Sequence, residues 1–172
     1  MIAPPARPLV FLDVDGTLLP HGGAQLLSSL GQWAEWQLPS NPHLAAIIPE
    51  HGPRLLALDC DLMWATAWMH DANAVIAPIL GLPRLPVADL PDAPLENEAG
   101  VPHWKTRALV GIADGRPFAW VDDEISDLDR VRVAEQHRGE ALLLRVDSAT
   151  GITDADFATL EAWLRLNPQW TG

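Results

Sequence analysis

The sequence predicts an α/β fold built around a parallel sheet. Five short apolar runs lack the alternation of apolar and polar residues, as strands covered on both faces do. Stretches with helical spacing lie between most of these runs, and that alternation is typical of βαβ units. At 172 residues, with 48% hydrophobic and 20% charged residues, the chain is predicted to form a single domain over residues 1–172.

The predicted elements follow one another along the chain. Strands are expected at residues 8–12, 62–65, 85–87, 118–121 and 141–146. Helices are expected at residues 53–58, 71–80, 104–113, 127–137 and 154–166. Asp71 and Asp154 can cap two of these helices, and Gly81 followed by Pro83 ends the second helix.

Two segments interrupt this alternation. Residues 18–48 carry glycines and prolines at irregular intervals, and we expect a flap or minimal cap inserted after the first strand. Residues 83–102 hold five prolines, which predicts a surface loop beyond the short strand at 85–87.

Composition narrows the classes of partner and compartment. A formal charge of −12 opposes a phosphate backbone, so general nucleic-acid binding is not expected. No run approaches the roughly 20 apolar residues of a membrane span. The single cysteine, Cys60, cannot form an internal disulfide, which favours a reducing cytoplasm. Eight tryptophans without a tyrosine favour packing over base stacking.

The first chemical motif is a strand that ends in two carboxylates. Residues 9–12 are apolar, and Asp13-x-Asp15-Gly16-Thr17 follows them. Residues i and i+2 of an extended chain point the same way, so Asp13 and Asp15 would both project from the carboxyl end of a parallel strand. Gly16 permits a sharp turn, and Thr17 can donate to an oxyanion. Asp-Gly alone is a common turn, whereas the complete run indicates a functional site.

Two further candidates are single residues near the ends of elements. Thr66 follows an apolar strand and precedes a helix, where its hydroxyl and backbone N–H groups can bind a phosphoryl oxygen. Lys105 lies at the start of a helix, where its charge opposes the helix dipole. The structural alternatives are an ordinary strand-end threonine and a solvated surface lysine.

The fourth motif places Asp122, Asp123 and Asp127 after the strand at 118–121. Adjacent carboxylates repel each other unless a cation joins them. Oxygen ligands with few fixed protein donors suit Mg²⁺, which keeps waters and accepts a substrate phosphate. The alternative is an acidic loop in an acidic protein.

Taken in order, the four motifs resemble those of the haloacid dehalogenase-like superfamily, and the similarity spans nearly the whole chain. Residues 64–68, 103–107 and 118–124 look like a small bacterial branch of it that has no cap or a minimal one. The resemblance implies a three-layer, Rossmann-like sheet ordered 5-4-1-2-3, with the motifs meeting at its carboxyl edge. It also implies a Mg²⁺-dependent phosphohydrolase that acts through an aspartyl-phosphate.

The resemblance assigns a catalytic role to each matching residue. Asp13 would attack phosphorus, and Asp15 would protonate the leaving group and then deprotonate water. Lys105 and Thr66 would bind phosphoryl oxygens, and Thr17 is a further phosphate-binding candidate.

The implied metal ligands are Asp13, the backbone carbonyl of Asp15, and Asp123, with Asp122 and Asp127 nearby. An Asp at 122, where the family has Gly, leaves open whether Asp122 or Asp123 is the direct ligand.

The substrate is expected to be a small phosphorylated metabolite, or alternatively a nucleotide. Candidate pocket residues are His21, Trp68, His70 and Trp104. The short gaps between motifs leave room for at most a minimal lid. Such an open site suits a large substrate or closure by a second subunit in a homodimer. A regulatory module that binds Mg²⁺ and phosphate without turnover, or a receiver-like phospho-acceptor, remains the alternative from another class.

Overall fold

The computed structural model describes residues 6–21, 30–94, 98–166 and 170. Its centre is a four-stranded parallel sheet in the order β2-β1-β3-β4. The strands are β1 (Leu9–Leu12), β2 (Asp61–Trp64), β3 (Phe118–Asp122) and β4 (Ala141–Arg145). Every residue of β1 and β3 is buried because both faces of these strands are covered, and their sequences therefore do not alternate.

Helices cover both faces of the sheet. They are α1 (Leu30–Trp36), α2 (His51–Leu56), α3 (Ala77–Leu80), α4 (Thr106–Ala113), α5 (Asp127–Gln136) and α6 (Asp154–Arg165), with a 3-10 turn at Pro42–Ala46 and a π-helical turn at Ala72–Ile76. Alternate residues of β1 enter two separate apolar clusters, Val10 with α2, α3 and α6, and Phe11 with α4 and α5. Because successive strand residues face opposite sides, these clusters are the two outer interfaces of a three-layer fold.

The structure confirms one of the predicted helix ends and corrects two of the predicted helix caps. Gly81 ends α3 in the left-handed conformation, with φ of 65°, as predicted. The cap of α6 is Thr153 rather than Asp154, since the Thr153 hydroxyl accepts from the backbone N–H of Asp156. Asp71 precedes the π-helical turn with α-region backbone angles, and its side chain makes no capping hydrogen bond.

The predicted strand at residues 85–87 is reduced to a single bridge between Trp64 and Val87. The backbone N–H of Trp64 donates to the carbonyl of Pro86, and that of Ala88 donates to the carbonyl of Trp64. Pro86 itself has no N–H, so it cannot extend the ladder. The described sheet therefore has four strands rather than five, and the bridge lies at the β2 edge, where the predicted order puts the missing strand.

The predicted insert at residues 18–48 contains α1 and the 3-10 turn, and its residues 22–29 lie outside the described part of the chain. The predicted loop after α3 is irregular throughout its described residues, apart from that bridge. None of the described helices combines the length and the apolar character needed to cross a membrane.

Candidate active site

The carboxyl ends of β1 and β3 bring the acids of the first and fourth motifs together. Asp13 follows β1, Asp122 ends β3, and the two strands pair in parallel. Asp13, Asp122 and Asp123 each offer a carboxylate oxygen, and these oxygens lie within 4.8 Å of one another. Gly16 makes this approach possible, because a Cβ at its φ of 73° would lie 2.3 Å from Asp123 Oδ2.

Lys105 is buried among these acids. Its Nζ lies 2.8 Å from Asp13 Oδ1 and 2.7 Å from Asp122 Oδ2. The hydroxyl of Thr17 donates to the other oxygen of Asp13 at 3.2 Å, so both oxygens of that carboxylate are held. Burial alone would lower the pKa of Lys105, but the adjacent Asp122 and Asp13 raise it. Lys105 is also the only lysine in the sequence.

One lysine does not balance three carboxylates. Burial and the neighbouring Asp122 raise the pKa of Asp13 well above its ordinary value, and they raise that of Asp123 to about 7. Asp122 is already engaged, since it accepts from Lys105, from the indole N–H of Trp120 at 3.2 Å and from the backbone N–H of Glu124 at 3.0 Å. The side chain of Asp123 is 10% exposed and has Oδ2 3.9 Å from His21 Nε2.

Two tryptophan side chains hold the carboxylate of Asp15. Trp36 Nε1, at the end of α1, donates to Oδ1 at 2.6 Å, and Trp68 Nε1, in the turn after β2, donates to Oδ2 at 2.9 Å. We call this arrangement the indole clamp. Burial raises the pKa of Asp15, against the lowering effect of the two N–H donors. Both Trp36 and Trp68 are almost fully buried, which fixes their positions.

A second buried acid fixes the start of α4, where Lys105 lies. Asp129 accepts from the backbone N–H of His103 at 2.6 Å, from the Thr106 hydroxyl at 2.6 Å and from the Ser126 hydroxyl at 2.7 Å. Burial opposes ionisation of Asp129, but these hydrogen bonds outweigh it and lower its pKa. Asp129 therefore ties both flanks of Lys105 to the beginning of α5.

A pocket of about 580 Å³ opens over Asp13 and Asp15. Its wall includes Trp33 of α1 and Trp104, whose ring centroid lies 5.4 Å from Lys105 Nζ. The remaining lining residues are His21, Ala67, Met69, Leu90, Pro91, Asp92, Ala93, Pro94, Lys105, Asp123 and Glu124. The volume suits one small organic ligand.

Thr66 and Trp68 are buried and are not among the residues that line this pocket. Thr66 is fully buried, and its hydroxyl accepts from the backbone N–H of Trp68 at 3.1 Å. Trp68 supports Asp15 and is not among the lining residues, which differs from its predicted place on the pocket wall. His21 and Trp104 are among the lining residues of the pocket.

Two predicted residues lie away from the site. His70 is exposed, because the turn after Thr66 passes through Met69 in a left-handed conformation with φ of 50°, and Met69 lines the pocket instead. The side chain of Asp127 is fully exposed at the first position of α5, with its nearest described cation, Arg130, at 3.9 Å. The buried acid of that helix is Asp129.

The sequence interpretation missed Trp36, Trp33 and Asp129. Ser126 and Asp129 form a capping box, and the spacing Ser-x-x-Asp was a visible signal for it. The tryptophans carried no such local signal, because a contact between Trp36 and Asp15 depends on how the insert folds back.

Comparison with known proteins gives a family and a fold. The sequence model of the HAD domain in Swiss Army Knife RNA repair proteins matches residues 9–157. No curated protein matches. The structure is similar to that of the HAD domain of effector protein Lem4 from Legionella pneumophila, with a TM-score of 0.54 and 11% identity over 97% of this chain and 96% of that one. Since the family match covers most of the sequence, the chain belongs to the HAD-domain family of Swiss Army Knife RNA repair proteins, within the haloacid dehalogenase-like superfamily.

Proposed function

We propose that the chain is a Mg²⁺-dependent phosphatase that hydrolyses a phosphomonoester through a phosphoryl group carried on Asp13. The observation that carries this proposal is the set of contacts to Asp13, whose two oxygens are oriented by Lys105 and Thr17 at the floor of a pocket. Phosphoryl transfer depends mainly on positioning and on neutralising charge, and a nucleophile held at both oxygens meets the first requirement.

The donor set fits a Mg²⁺ ion. Its donors are carboxylate oxygens from three acids beside one lysine, and burial together with the neighbouring Asp122 raises the pKa of Asp123 to about 7. Asp13 and Asp123 would hold the ion directly, because both line the pocket, whereas Asp122 does not and its oxygens accept from Lys105, Trp120 and a backbone N–H. A bound Mg²⁺ would neutralise charge on the phosphoryl oxygens.

The two carboxylates of the first motif have different roles in this reaction, Asp13 as the nucleophile and Asp15 as the general acid and base. One oxygen of Asp13 attacks phosphorus while the bond from phosphorus to the leaving oxygen breaks, and Asp15 gives its proton to that oxygen. Asp15 then takes a proton from water as the water oxygen bonds to phosphorus and the bond to Asp13 breaks. The indole clamp supports this role, because it holds Asp15 beside Asp13 with both oxygens oriented.

We further propose a small phosphorylated metabolite in the cytoplasm as the substrate, with a nucleotide as the alternative. The family name points to a third substrate, a phosphate at an RNA end. The formal charge of −12 disfavours a polyanion, and the pocket volume suits a small molecule.

The test is hydrolysis of p-nitrophenyl phosphate and of an alkyl phosphate, with Mg²⁺ and with EDTA. EDTA should abolish turnover, and Mg²⁺ should restore it. In rapid mixing, Asp15→Asn should release close to one equivalent of nitrophenol per site and then slow, because nitrophenolate leaves without a proton but the phosphoenzyme lacks its base. An alkyl phosphate should give no burst.

Two results would contradict this proposal. Full turnover in metal-free buffer would exclude the metal site. Equal steady-state rates for Asp15→Asn and the wild type on both substrates would exclude the acid and base role of Asp15.

A further inference from the structure

The wall of the active-site pocket is strongly asymmetric in charge. Among the described residues that line it there are five carboxyl groups, from Asp13, Asp15, Asp92, Asp123 and Glu124, and one ammonium group, from Lys105. Each of the ten arginines, like Lys105, lies within the described residues, so the undescribed segments add no basic side chain to this wall.

Two basic side chains contact residues of the site, and both are already engaged. Lys105 contacts Asp13 and Asp122 at the floor, where the reacting phosphate binds in the proposed function. Arg145, at the end of β4, donates to the backbone carbonyl of Asp123 and is not a lining residue. Beyond the floor, where Lys105 and the proposed Mg²⁺ lie, a second anionic group on the substrate would therefore meet no arginine or lysine among the described lining residues and would face the rim acid Asp92.

Above the floor, the wall is largely apolar and partly aromatic. Trp33 and Trp104 both line it, and an edge-to-face contact with Trp68 at 6.4 Å supports the ring of Trp33. Met69 and Leu90 add flexible and branched apolar surface. Flat apolar groups gain most from such a lining, because indole rings stack on them and sulfur contacts their edges.

We propose that the substrate is a phosphomonoester of an aromatic or similarly flat apolar alcohol that carries no second anionic group. This inference rests on the proposed phosphatase function and narrows it, because it excludes bisphosphates and the phosphorylated ends of RNA. The phosphate lies against Lys105, and the organic remainder lies against Trp33 and Trp104.

The test compares 4-(aminomethyl)phenyl phosphate with 4-(carboxymethyl)phenyl phosphate, which have leaving groups of similar size and chemistry but opposite charge. At low salt, kcat/KM should be at least about tenfold higher for the amine. The ratio should shrink as salt rises, since the rim charges are screened. A 3′-phosphorylated oligoribonucleotide should be a poorer substrate than either ester. An equal or inverted ratio, or faster hydrolysis of the oligonucleotide, would overturn the inference.

Variants test which side chains are responsible. Asp92→Asn should narrow the amine-to-carboxylate ratio by about twofold or more, whereas Asp89→Asn, an exposed acid of the same loop outside the lining, should leave it unchanged. Trp104→Ala and Trp33→Ala should each raise KM for phenyl phosphate about fivefold or more, with little change for methyl phosphate. Equal losses on both esters in both tryptophan variants would exclude a stacking role.

A binding measurement distinguishes failure of this inference from failure of the proposed phosphatase function. The same esters are titrated against Asp13→Asn with Mg²⁺, where no turnover is expected. If the wild type hydrolyses none of the esters, but Asp13→Asn still binds the amine ester more tightly than the carboxylate ester, only the phosphatase function is wrong. If the wild type hydrolyses the esters, but neither kcat/KM nor affinity favours the amine ester over the carboxylate ester, only the proposed substrate class is wrong.

Discussion

The indole clamp gives the sharpest prediction. Trp36→Phe keeps an aromatic ring beside His43, whose ring centroid is 4.9 Å away, but removes the second ring of the indole with the N–H that reaches Asp15 at 2.6 Å. A hydrogen bond to a charged group is worth about 1.5–3 kcal/mol, which corresponds to about 10- to 150-fold in rate if it all appears in the barrier. Because Trp68 still holds the other oxygen, we expect a loss near the lower limit, about tenfold.

The pH profile gives this prediction a second readout. An N–H donor favours the carboxylate, so its removal should raise the pKa of Asp15 further. Asp15 then accepts the proton of water only at higher pH. The acidic limb of the plot of kcat against pH should therefore shift to higher pH. The assay is Mg²⁺-dependent hydrolysis of an alkyl phosphate across pH.

A matched control is available in α6. Trp163→Phe makes the same substitution at a tryptophan that packs on Trp170, with ring centroids 4.9 Å apart, and it should leave both rate and profile unchanged. The reasoning is refuted if Trp36→Phe behaves like the wild type, or if Trp163→Phe loses as much activity.

Four further predictions concern the site acids and Lys105. Asp13→Asn should lose at least about 10³-fold in turnover while circular dichroism stays unchanged, and retention of a tenth of the activity would place the nucleophile elsewhere. Lys105, buried and protonated, should resist amine acylation in the native protein and react in urea, as peptide mapping by mass spectrometry can show. Because the folded-state pKa of Asp123 is raised to about 7, the metal-free fold should lose stability as pH rises from about 4 towards 7, and Mg²⁺ should raise Tm more at pH near 8 than near 5. Asp129→Asn should lower the free energy of unfolding by about 1–3 kcal/mol in urea titrations at neutral pH, with a smaller effect near pH 3, below the ordinary pKa of an aspartate, where the lowered pKa of Asp129 contributes less.

The sheet was predictable because its strands are short, apolar on both faces and separated by helices. The edge strand at 85–87 was overestimated, since apolar character alone does not reveal that Pro86 lacks the donor a ladder needs. In the same way, the i, i+2 spacing placed Asp13 and Asp15 at one strand end. Nothing local predicted Trp36, which reaches Asp15 across 21 positions of the insert.

The fourth motif shows that spacing alone does not reveal which acid of α5 is buried. Asp127 fits the family pattern four residues after Asp123, yet at the first position of α5 its side chain points to solvent. Asp129, two positions later, turns inward because the third residue of a helix faces the capping residue, here Ser126. Helix geometry, rather than residue type, decided which carboxylate became buried.

The distribution of tryptophans makes the site its own fluorescent reporter. The sequence has eight tryptophans and no tyrosine, so its near-ultraviolet emission comes from indoles alone. Three of them, Trp36, Trp68 and Trp120, donate their N–H groups to acids of the site, and two more line the pocket. A change of charge or solvation there should alter the emission of most chromophores at once. Metal and ester titrations can therefore be followed without a dye, through the intrinsic emission of the protein.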